Sequence, residues 1–544
     1  MAENTSSPIV EHRHWVEQLG QQVIDQGPGP YVITGGMTTS GPAHMGTLCE
    51  MLYPQAITRY LHRLGKKASY IFVADILDAL DAVPLSMQKY EAILTPHLGK
   101  PLCHVSDPTG RYPSFGDYFL NESLNIAKQF CISPKIMRAQ ELYSSGAMDE
   151  SARLFISKEA QSRELVARTS LRSELPVDWH PIMPICSNCG RISTTRVTKA
   201  SGDTYHYACD KDVKYTRGCG HSGSNSLSEH KYKLTWRLHW PAWMRHFHTS
   251  IEGAGMDHHT RGGSWDTCQA VFRELFRAEP PIGYQFGFVL FMGKKYSKSK
   301  GIGMGLTDLL KLQPAPVLAY ALLRPDLMEN RDINPTSENL LRLITEYEEA
   351  GRLAQEMGLL EEKLKSSASA SSLVHQSKSP VPEVSRAERK RALAYSLAAS
   401  RPLWSIPFAD LLIYYGLYGG LERAAAALPS HEDARYLAPY VLEWEKQNLI
   451  PDIYRFKFRA APASDARVRE WAQELSPSMD ALAIHNSVFT FARGRKIPTG
   501  EMFQAIYADL IGKQHGPKLG RLVEILGVHE VREALLRGPP PARP

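Results

Sequence analysis

The chain contains 544 residues, of which 43% are hydrophobic and 22% are charged, as in ordinary folded soluble proteins. Lys and Arg outnumber Asp and Glu by 63 to 57, and this small excess neither requires nor excludes a polyanionic partner. The sequence has no apolar run of the roughly 20 residues that a transmembrane helix needs, and its N-terminus has no signal-peptide core. We therefore expect a cytoplasmic protein of roughly three or four domains.

Residues 1–180 alternate apolar runs with amphipathic segments, which is typical of βα units. Within them, the stretch TTSGPAHMGT (residues 38–47) lies between an apolar run that ends at Ile33 and a segment with a helical pattern that begins at Leu48. Glycines at such a joint let the backbone approach a ligand, and the first amides of a helix favour anionic groups. An ordinary turn that exposes His44 is the alternative, because short glycine motifs are weak signals.

Half of the eight cysteines fall within residues 181–230, and these four are Cys186, Cys189, Cys209 and Cys219. In a reducing compartment such a cluster favours a metal site over disulfide bridges. Two short loops that each supply soft ligands suit a tetrahedral structural Zn²⁺. The second pair is spaced more widely than the first, so His221 is an alternative fourth ligand. A reduced, metal-free hairpin is the alternative to a zinc site.

Residues 231–335 contain the stretch FVLFMGKKYSKSKGIGMG (residues 288–305), in which an apolar strand runs into a loop with four lysines and two serines. Ammonium and hydroxyl groups on a glycine-flanked loop can be brought to a phosphate as it gains charge in a transition state. A generic basic loop is the alternative for this stretch taken alone.

The C-terminal part of the sequence is predicted to be helical. Residues 336–384 begin with apolar residues at helical spacing and end in a Ser/Pro-rich segment, which indicates a helical connector followed by a flexible loop. Residues 385–538 show a helical pattern almost throughout, and we expect the tail 539–544 to be disordered. Solvent exposure is the common fate of basic groups, and phosphate contact is the alternative for Arg455, Lys457, Arg459, Arg493, Arg495 and Lys496.

Two of these stretches resemble the signature motifs of class I aminoacyl-tRNA synthetases. SGPAHMGT is similar to the HIGH motif and KKYSKS to the KMSKS motif, in the same order and about 250 residues apart, as in a split Rossmann-like fold. Four further stretches resemble class I lysyl-tRNA synthetases, namely HLGKPLCHVSDPTG, YKLTWRLHWPAW, GMDHHTRGGSWDT and GKQHGPKLGRLVEILG. The resemblance covers nearly the whole chain, and the cysteine cluster falls where that family carries a zinc-binding insertion.

The resemblance implies an α/β protein whose Rossmann-like catalytic domain is divided into residues 1–180 and 231–335 by the zinc-binding insertion 181–230. It also implies that the connector 336–384 leads to an all-α anticodon-binding region at 385–538. The implied reaction uses ATP with Mg²⁺ to form a lysyl-adenylate and then attaches lysine to tRNA(Lys). The implied protein is a monomer with no membrane partner.

The resemblance also assigns roles to individual residues. The implied catalytic residues are His44, Lys295 and Lys298. The implied ATP-binding residues are Gly41, Gly46, Thr47, Ser297 and Ser299. The implied lysine-binding residues are Gly36, Thr38, Trp236, Asp257, His258 and Tyr284, with an ordinary place in the core as the alternative for Trp236 and Tyr284. The implied zinc ligands are the four clustered cysteines.

The chain departs from the family pattern at several positions. Thr47 and the Tyr of KKYSKS leave the main donor groups in place, whereas Gln285 stands where the family has Glu, Met256 where it has Lys, and Asp81 where it has Arg. Loss of a carboxylate beside the pocket would weaken selection for a cationic amino acid. A relative diverted to another amino acid, or to a biosynthetic aminoacyl transfer, is therefore the alternative function. A non-catalytic RNA-binding relative is disfavoured because all three catalytic positions are retained.

Overall fold

The computed structural model describes residues 13–295, 303–360, 385–421, 424, 428 and 430–537. The predicted catalytic Lys298 and the predicted ATP-binding Ser297 and Ser299 lie outside these residues. The Ser/Pro-rich end of the connector, Ser366–Val384, and the tail 539–544 lie outside them as well.

The regular elements follow one another in a βα pattern, then an all-β insertion, then βα again and finally helices. The strands are β1 (Tyr31–Met37), β2 (Ala68–Ala74), β3 (Lys135–Arg138), β4 (Ile182–Pro184), β5 (Arg196–Ser201), β6 (Thr204–Ala208), β7 (Asp212–Val213), β8 (Thr216–Arg217), β9 (Ser222–Ser226), β10 (Tyr232–Leu234), β11 (Ile251–Gly255), β12 (Ile282–Phe286), β13 (Val289–Phe291), β14 (Lys294–Lys295) and β15 (Arg331–Ile333). The α-helices are α1 (Trp15–Asp25), α2 (Met45–Arg63), α3 (Glu91–Leu94), α4 (Phe115–Gln129), α5 (Ala139–Ser144), α6 (Asp149–Ser157), α7 (Glu159–Thr169), α8 (Trp236–His246), α9 (Met256–His259), α10 (Ser264–Ala270), α11 (Leu306–Leu312), α12 (Ala315–Leu323), α13 (Ser337–Glu356), α14 (Arg386–Ala398), α15 (Phe408–Tyr418), α16 (His431–Lys446), α17 (Ala466–Glu474), α18 (Ala481–Gly494), α19 (Thr499–Ile511), α20 (Leu519–Leu526) and α21 (Val528–Arg537).

Five parallel strands form the central sheet, in the order β12-β11-β1-β2-β3. Strand β1 pairs with β2 from Tyr31 opposite Ala68 to Met37 opposite Ala74, and on its other side it pairs with β11. These strands are apolar because a parallel sheet is covered on both faces. After β1 the chain adds β2 and β3 on one side of that strand, and it later adds β11 and β12 on the other side. The strand order therefore reverses between β1 and β11, and open α/β sheets bind ligands at the carboxyl ends of the strands at such a switch point. The predicted Rossmann-like fold class is confirmed.

Helices α2 and α8 cover opposite faces of the sheet at this point. A Cβ atom on Gly35 would meet the backbone of Glu50 in α2 at 3.3 Å, and one on Gly36 would meet the Trp243 ring of α8 at 3.0 Å. Successive residues of a strand face opposite sides of its sheet, so the two glycines of β1 let both helices pack closely. The buried apolar residues around α2 continue into the C-terminal helices, whereas those around α8 continue into the insertion.

The insertion between α7 and α8 is a small antiparallel module. Strands β5, β6 and β9 form one sheet, β7 and β8 form a hairpin, and β4 pairs with β10 at the base. The cysteines occupy its loops, because Cys186 and Cys189 follow β4, Cys209 follows β6 and Cys219 follows β8. A cysteine-rich module therefore interrupts the α/β domain.

From Arg386 onward, every regular element among the described residues is helical. This confirms the predicted all-α C-terminal region. None of the helices in the described part of the chain is both long and apolar enough to cross a membrane.

Candidate active site

The HIGH-like stretch lies at the switch point, where β1 leads into α2. His44 caps this helix, because its ring Nδ1 accepts a hydrogen bond from the Thr47 backbone N–H at 3.2 Å. Thr47 returns the contact, since its Oγ1 accepts from the His44 N–H at 3.2 Å. Gly46 permits this arrangement, as a Cβ atom there would meet the His44 ring at 2.8 Å. The positive end of the α2 dipole is thereby fixed at the switch point.

A cavity of about 330 Å³, which we call the inner cavity, opens at the carboxyl ends of β1 and β11. The sequence-predicted residues that line it are Gly36, Thr38, His44, Gly46, Thr47, Trp236 and His258. Three carboxylates that were not predicted also line it, namely Glu50, Asp78 and Glu252. The cavity therefore combines an aromatic wall with acidic groups.

The inner cavity raises the pKa values of two of its carboxyl groups. Withdrawal from solvent raises the pKa of Glu50 to about 8, repulsion from Glu252 acts in the same direction, and a hydrogen bond from the Gly255 backbone opposes both. Burial raises the pKa of Glu252 to about 7, although hydrogen bonds from Thr34 and Trp240 oppose the shift. A bound cation would favour the ionised form of both groups. The pair is therefore suited to a positively charged ligand.

The aromatic wall of the inner cavity is built from α8 and the segment after β11. Trp236 and Trp240 stack with ring centroids 5.4 Å apart and planes inclined by 15°. Their indole N–H groups are both engaged, because Trp236 donates to Ser264 Oγ at 3.1 Å and Trp240 donates to Glu252 Oε1 at 3.0 Å. His258 lies 5.5 Å from the Trp240 ring, and burial lowers its pKa. These rings offer an apolar surface and cation–π attraction beside the carboxylates.

Asp78 joins the inner cavity to a buried ion-pair network. Its Oδ2 accepts a hydrogen bond from Thr38 Oγ1 at 2.5 Å, and its Oδ1 accepts one from Lys233 Nζ. Lys233 is only 1% exposed and also donates to Asp75 Oδ2 at 2.7 Å. Burial lowers the pKa of Lys233, but the two carboxylates outweigh it and the net shift is upward. The network keeps Lys233 charged and holds Asp78 against Thr38.

A second cavity of about 460 Å³, the outer cavity, adjoins the inner one and extends toward the β13–β14 hairpin. The residues that line both cavities are His44, Gly46, Glu50 and His258. Lys295 and Asp257 line the outer cavity, and Lys295 Nζ lies 3.7 Å from Asp257 Oδ2 and 3.7 Å from the centroid of the Phe288 ring. Both members of this ion pair are exposed, so it is weak. The start of the KMSKS-like loop thus borders the cavity that begins at α2.

Several residues considered from the sequence do not line these two cavities. Gly41 lies in the turn between β1 and α2, and Asp81 is exposed. Tyr284 is buried on β12, with its ring so close to Gly253 that a Cβ atom there would lie 2.0 Å from it. Gln285 is half-buried on the same strand. Burial of Tyr284 fits both the lysine-binding role and the core alternative, so its role stays a prediction.

The four clustered cysteines converge in the insertion, and their Sγ atoms all lie within 4.8 Å of one another. The Sγ atoms of Cys186 and Cys219 are 3.7 Å apart, as are those of Cys189 and Cys209. A tetrahedron of Zn–S bonds of about 2.3 Å has edges close to this length, so the donor set fits Zn²⁺. His221 does not join this group in the described part of the chain, and its backbone carbonyl accepts a hydrogen bond from the Cys209 N–H at 2.8 Å.

Hydrogen bonds connect the first cysteine loop to the inner cavity. The Ile192 N–H donates to the Gly99 carbonyl, and the Gly99 N–H donates to the Leu80 carbonyl, both at 2.8 Å. The Leu102 N–H donates to the Asp78 carbonyl at 2.8 Å. The loop around residues 99–102 is thus bonded on one side to the insertion and on the other to the segment that carries Asp78.

Five residues of this site were not predicted from the sequence, namely Glu50, Asp78, Lys233, Trp240 and Glu252. One of them, Trp240, had a local signal, because it follows Trp236 by four residues in α8, which places both on one face of the helix. Glu50 lies in the first turns of α2 but at no helical spacing from His44 that would mark it. Asp78, Glu252 and Lys233 had no comparable signal. Their proximity depends on the order of the strands.

Comparison with known proteins places the chain in a family. Residues 13–379 match the family model described as tRNA synthetases class I (K), and residues 444–538 match a model described as an anticodon binding domain. A lysine–tRNA ligase from Archaeoglobus fulgidus is 28% identical over 96% of this chain and 99% of its own length. Proteins of the same name from Methanosarcina barkeri (strain Fusaro) and Thermoplasma acidophilum are 26% and 25% identical, each over 93% of this chain and over 94% and 96% of their own lengths. The first of these models matches well over half of the chain, and Lys295, at the start of the second motif, borders the cavity that begins at α2. The chain therefore belongs to the family of tRNA synthetases class I (K) and is an aminoacyl-tRNA ligase.

Proposed function

We propose that this enzyme activates lysine with ATP and attaches it to tRNA(Lys) through a lysyl-adenylate. The observation that carries the proposal is the inner cavity, in which carboxylates and stacked tryptophans lie next to the start of α2. A buried ammonium must be paired or hydrogen-bonded. An amino acid with a neutral aliphatic side chain would bring one cation fewer to these carboxyl groups and would lose a charge-assisted contact.

The charges of the inner cavity match those of lysine. Asp78 already forms an ion pair with Lys233. Among the described residues, Glu252 accepts hydrogen bonds only from the neutral groups of Thr34 and Trp240, and neither Glu50 nor Glu252 forms an ion pair. In this proposal Glu50 and Glu252 face the two ammonium groups of the amino acid. The stacked tryptophans suit the alkyl chain. The lysine carboxylate then lies where the two cavities meet, next to the start of α2. Among the other predicted lysine-binding residues, Gly36 and Thr38 belong to this cavity, whereas Asp257 belongs to the outer one.

In this proposal ATP occupies the outer cavity. The His44 ring and the Gly46 backbone contact the triphosphate at the positive end of α2. Lys295, together with Lys298 of the same loop, neutralises the charge that develops on the departing pyrophosphate. Class I synthetases use Mg²⁺, which when bound offsets the charge of the phosphates. The lysine carboxylate is already ionised and needs no general base, so positioning and electrostatics carry this step.

In the second step the terminal ribose hydroxyl of tRNA attacks the adenylate, the lysyl ester forms and AMP leaves. The match of residues 444–538 to an anticodon binding domain supports a tRNA partner. That tRNA(Lys) is the partner rests on the acidic inner cavity and on the names of the similar proteins.

Pyrophosphate exchange with the purified protein tests the proposal. All proteinogenic amino acids are assayed, each with and without tRNA. Exchange that depends on lysine is expected, because lysine places two ammonium groups opposite Glu50 and Glu252. Arginine, which also carries two cationic groups but ends in a larger planar guanidinium, is the most informative comparison. Exchange that depends on a different amino acid would favour the diverted relative over the lysine enzyme.

We further propose that one structural Zn²⁺ is held by the four cysteine thiolates, whose spacing supports a tetrahedral site. We also propose the domain boundaries predicted from the sequence, which divide the chain into residues 1–180, 181–230, 231–335, 336–384, 385–538 and 539–544. We further propose that the protein is a monomer and that it is located in the cytoplasm. Light scattering of the purified protein tests the first point, and imaging of a tagged copy in the cell tests the second.

A further inference from the structure

Helix α18 carries an exposed apolar stripe. Leu482 is 67% exposed and Phe489 is 41% exposed. With His485 and Arg493 they fall at intervals of three and four residues, which places all four on one face of the helix. His485 is half-buried at the edge of this face, whereas Phe489 and Arg493 are exposed and accessible to a partner.

Three rings meet on this surface, and we call His485, Phe489 and Phe503 the aromatic patch. The centroid of the His485 ring lies 5.3 Å from that of Phe489 and 5.2 Å from that of Phe503. The two phenylalanine centroids are 5.5 Å apart, with planes inclined by 69°. Since Phe503 belongs to α19, the patch spans the α18–α19 hairpin and is held in place by both helices.

The tip of this hairpin is positively charged. Residues 486–500 contain Arg493, Arg495 and Lys496 but no Asp or Glu, and all three cations are exposed. Arg495 is occupied, because it pairs with Glu470 at 3.1 Å and with Glu474 at 3.5 Å. Within the described residues, no carboxylate lies within 4.0 Å of the charged groups of Arg493 or Lys496. An exposed ring, Phe489, supported by the half-buried rings of His485 and Phe503, is therefore on the same hairpin as two exposed cations.

We propose that the aromatic patch stacks unpaired bases of a tRNA anticodon loop while Arg493 and Lys496 contact its phosphates. Aromatic side chains beside a positively charged surface are the chemistry that binds single-stranded RNA, because every base has a face that can stack. An RNA loop supplies base faces and phosphates next to each other along its whole length, which matches rings and cations on one hairpin, and the domain match favours it over a protein partner. The assignment rests on the proposed function for the identity of the tRNA, and on the anticodon-domain match for its location.

The test measures binding of a fluorescent anticodon stem-loop of tRNA(Lys) to the full chain. Phe489→Ala is expected to weaken binding about ten-fold or more, the size of one lost stack. Leu482→Ala is the matched control, because Leu482 is more exposed on the same helix but has no ring, and it should bind as the parent does. Phe489→Trp should retain binding, since it keeps an aromatic face. Arg493→Ala should reduce the slope of log affinity against log salt by about one.

Two outcomes would overturn this assignment. One is Phe489→Ala with parental affinity for the stem-loop in a protein that still folds and forms adenylate. The other is a change in oligomeric state on the same substitution, which would make the patch an interface between copies. If only the stem-loop of a different tRNA binds, and Phe489→Ala weakens that binding, the patch stands and the lysine assignment fails.

Discussion

The active-site cavities and the aromatic patch are built in opposite ways. The inner cavity withdraws Glu50 and Glu252 from solvent and raises their pKa values, whereas the patch leaves Phe489 open to water. The cavity collects side chains from segments about 200 residues apart at a switch point. The patch comes from two consecutive helices. In the proposed function, the carboxyl groups of the inner cavity select the lysine ammonium, and the exposed surface around the aromatic patch binds the tRNA polyanion.

The largest effect is expected at the KMSKS-like loop, where Lys298→Ala should lower the rate of adenylate formation by about 100-fold or more. Loss of one group that stabilises transition-state charge typically costs ~3 kcal/mol. Pyrophosphate exchange measures the rate, and the KM for lysine should change much less. Lys294→Ala is the control, because Lys294 is exposed on the same hairpin and does not line the outer cavity. If the Lys298→Ala variant formed adenylate at the parental rate, this loop would have no role in adenylate formation.

The next effect tests the buried charge of the inner cavity. Glu50→Gln should raise the KM for lysine by about 10- to 100-fold, because a charge-assisted contact becomes a neutral one beside a buried ammonium. Norleucine, which lacks the side-chain ammonium, serves as the control substrate. Equal KM values for lysine in parent and variant would show that the cavity selects by shape rather than by charge. Stem-loop binding at the aromatic patch should stay unchanged.

Lysine affinity should also depend on pH, because the pKa of Glu50 is raised to about 8 and that of Glu252 to about 7. Between pH 6.5 and 8 the carboxyl groups ionise, so the Kd for lysine should fall roughly ten-fold. The unliganded protein should change in the opposite sense. A raised carboxyl pKa stabilises the fold at low pH, and this contribution is lost as pH rises from 4.5 through about 8.

Calorimetric titration of lysine across this pH range measures the first effect, and denaturant unfolding measures the second. Glu50→Gln should flatten both profiles. A lysine Kd that does not vary with pH in the parent would contradict the raised pKa values. The aromatic patch should behave differently, because its affinity for RNA should depend more strongly on salt concentration than on pH.

A smaller effect is expected from the insertion. The parent should carry about one zinc, and the double variant Cys186→Ser with Cys189→Ser should lose it and unfold locally over residues 186–221. The KM for lysine should rise several-fold, because loss of the Ile192–Gly99 hydrogen bond would loosen the loop around residues 99–102, whose Leu102 N–H holds the Asp78 carbonyl. Stem-loop binding should be retained. Metal analysis of protein prepared without chelator checks the first statement, and a metal-free parent would contradict it.

The smallest effect is expected at Gln285. If this residue took the place of a pocket carboxylate, Gln285→Glu would improve lysine affinity. Because Gln285 lines neither cavity, we expect the KM for lysine to stay within about two-fold of the parent, less than one neutral hydrogen bond contributes. A clear improvement restricted to cationic substrates would return Gln285 to the pocket and support the diverted relative.

Local patterns in the sequence were sufficient to predict several features. The HIGH-like stretch predicted a strand-to-helix joint, and His44 caps α2 there. The cysteine spacing predicted a four-thiol cluster, and the Sγ atoms converge. Helical periodicity predicted the all-α C-terminal region. In each case neighbouring residues carry the information, because caps, knuckles and helix faces form between residues that are close along the chain.

The surroundings of individual site residues depend on the tertiary structure and could not be predicted from the sequence. The resemblance implied that Tyr284 binds lysine, with a place in the core as the alternative, and the pairing of β12 with β11 sets its ring against Gly253, which lines the inner cavity. Its role stays a prediction. The departure at Gln285 drew attention to a missing carboxylate, whereas Glu50, Asp78 and Glu252 already supply three. The assigned roles of the cavity residues remain predictions until the variants above are measured.

The chain by itself therefore determined the family, the motif positions and the cysteine set, since these are read from adjacent residues. The tertiary structure decided which acids share a cavity, because the parallel pairing of β1 with β2 and β11 joins α2, the segment after β2 and the end of β11 at one edge. It also decided their pKa values. A carboxyl group acquires a raised pKa only when packing removes its water and brings a like charge beside it.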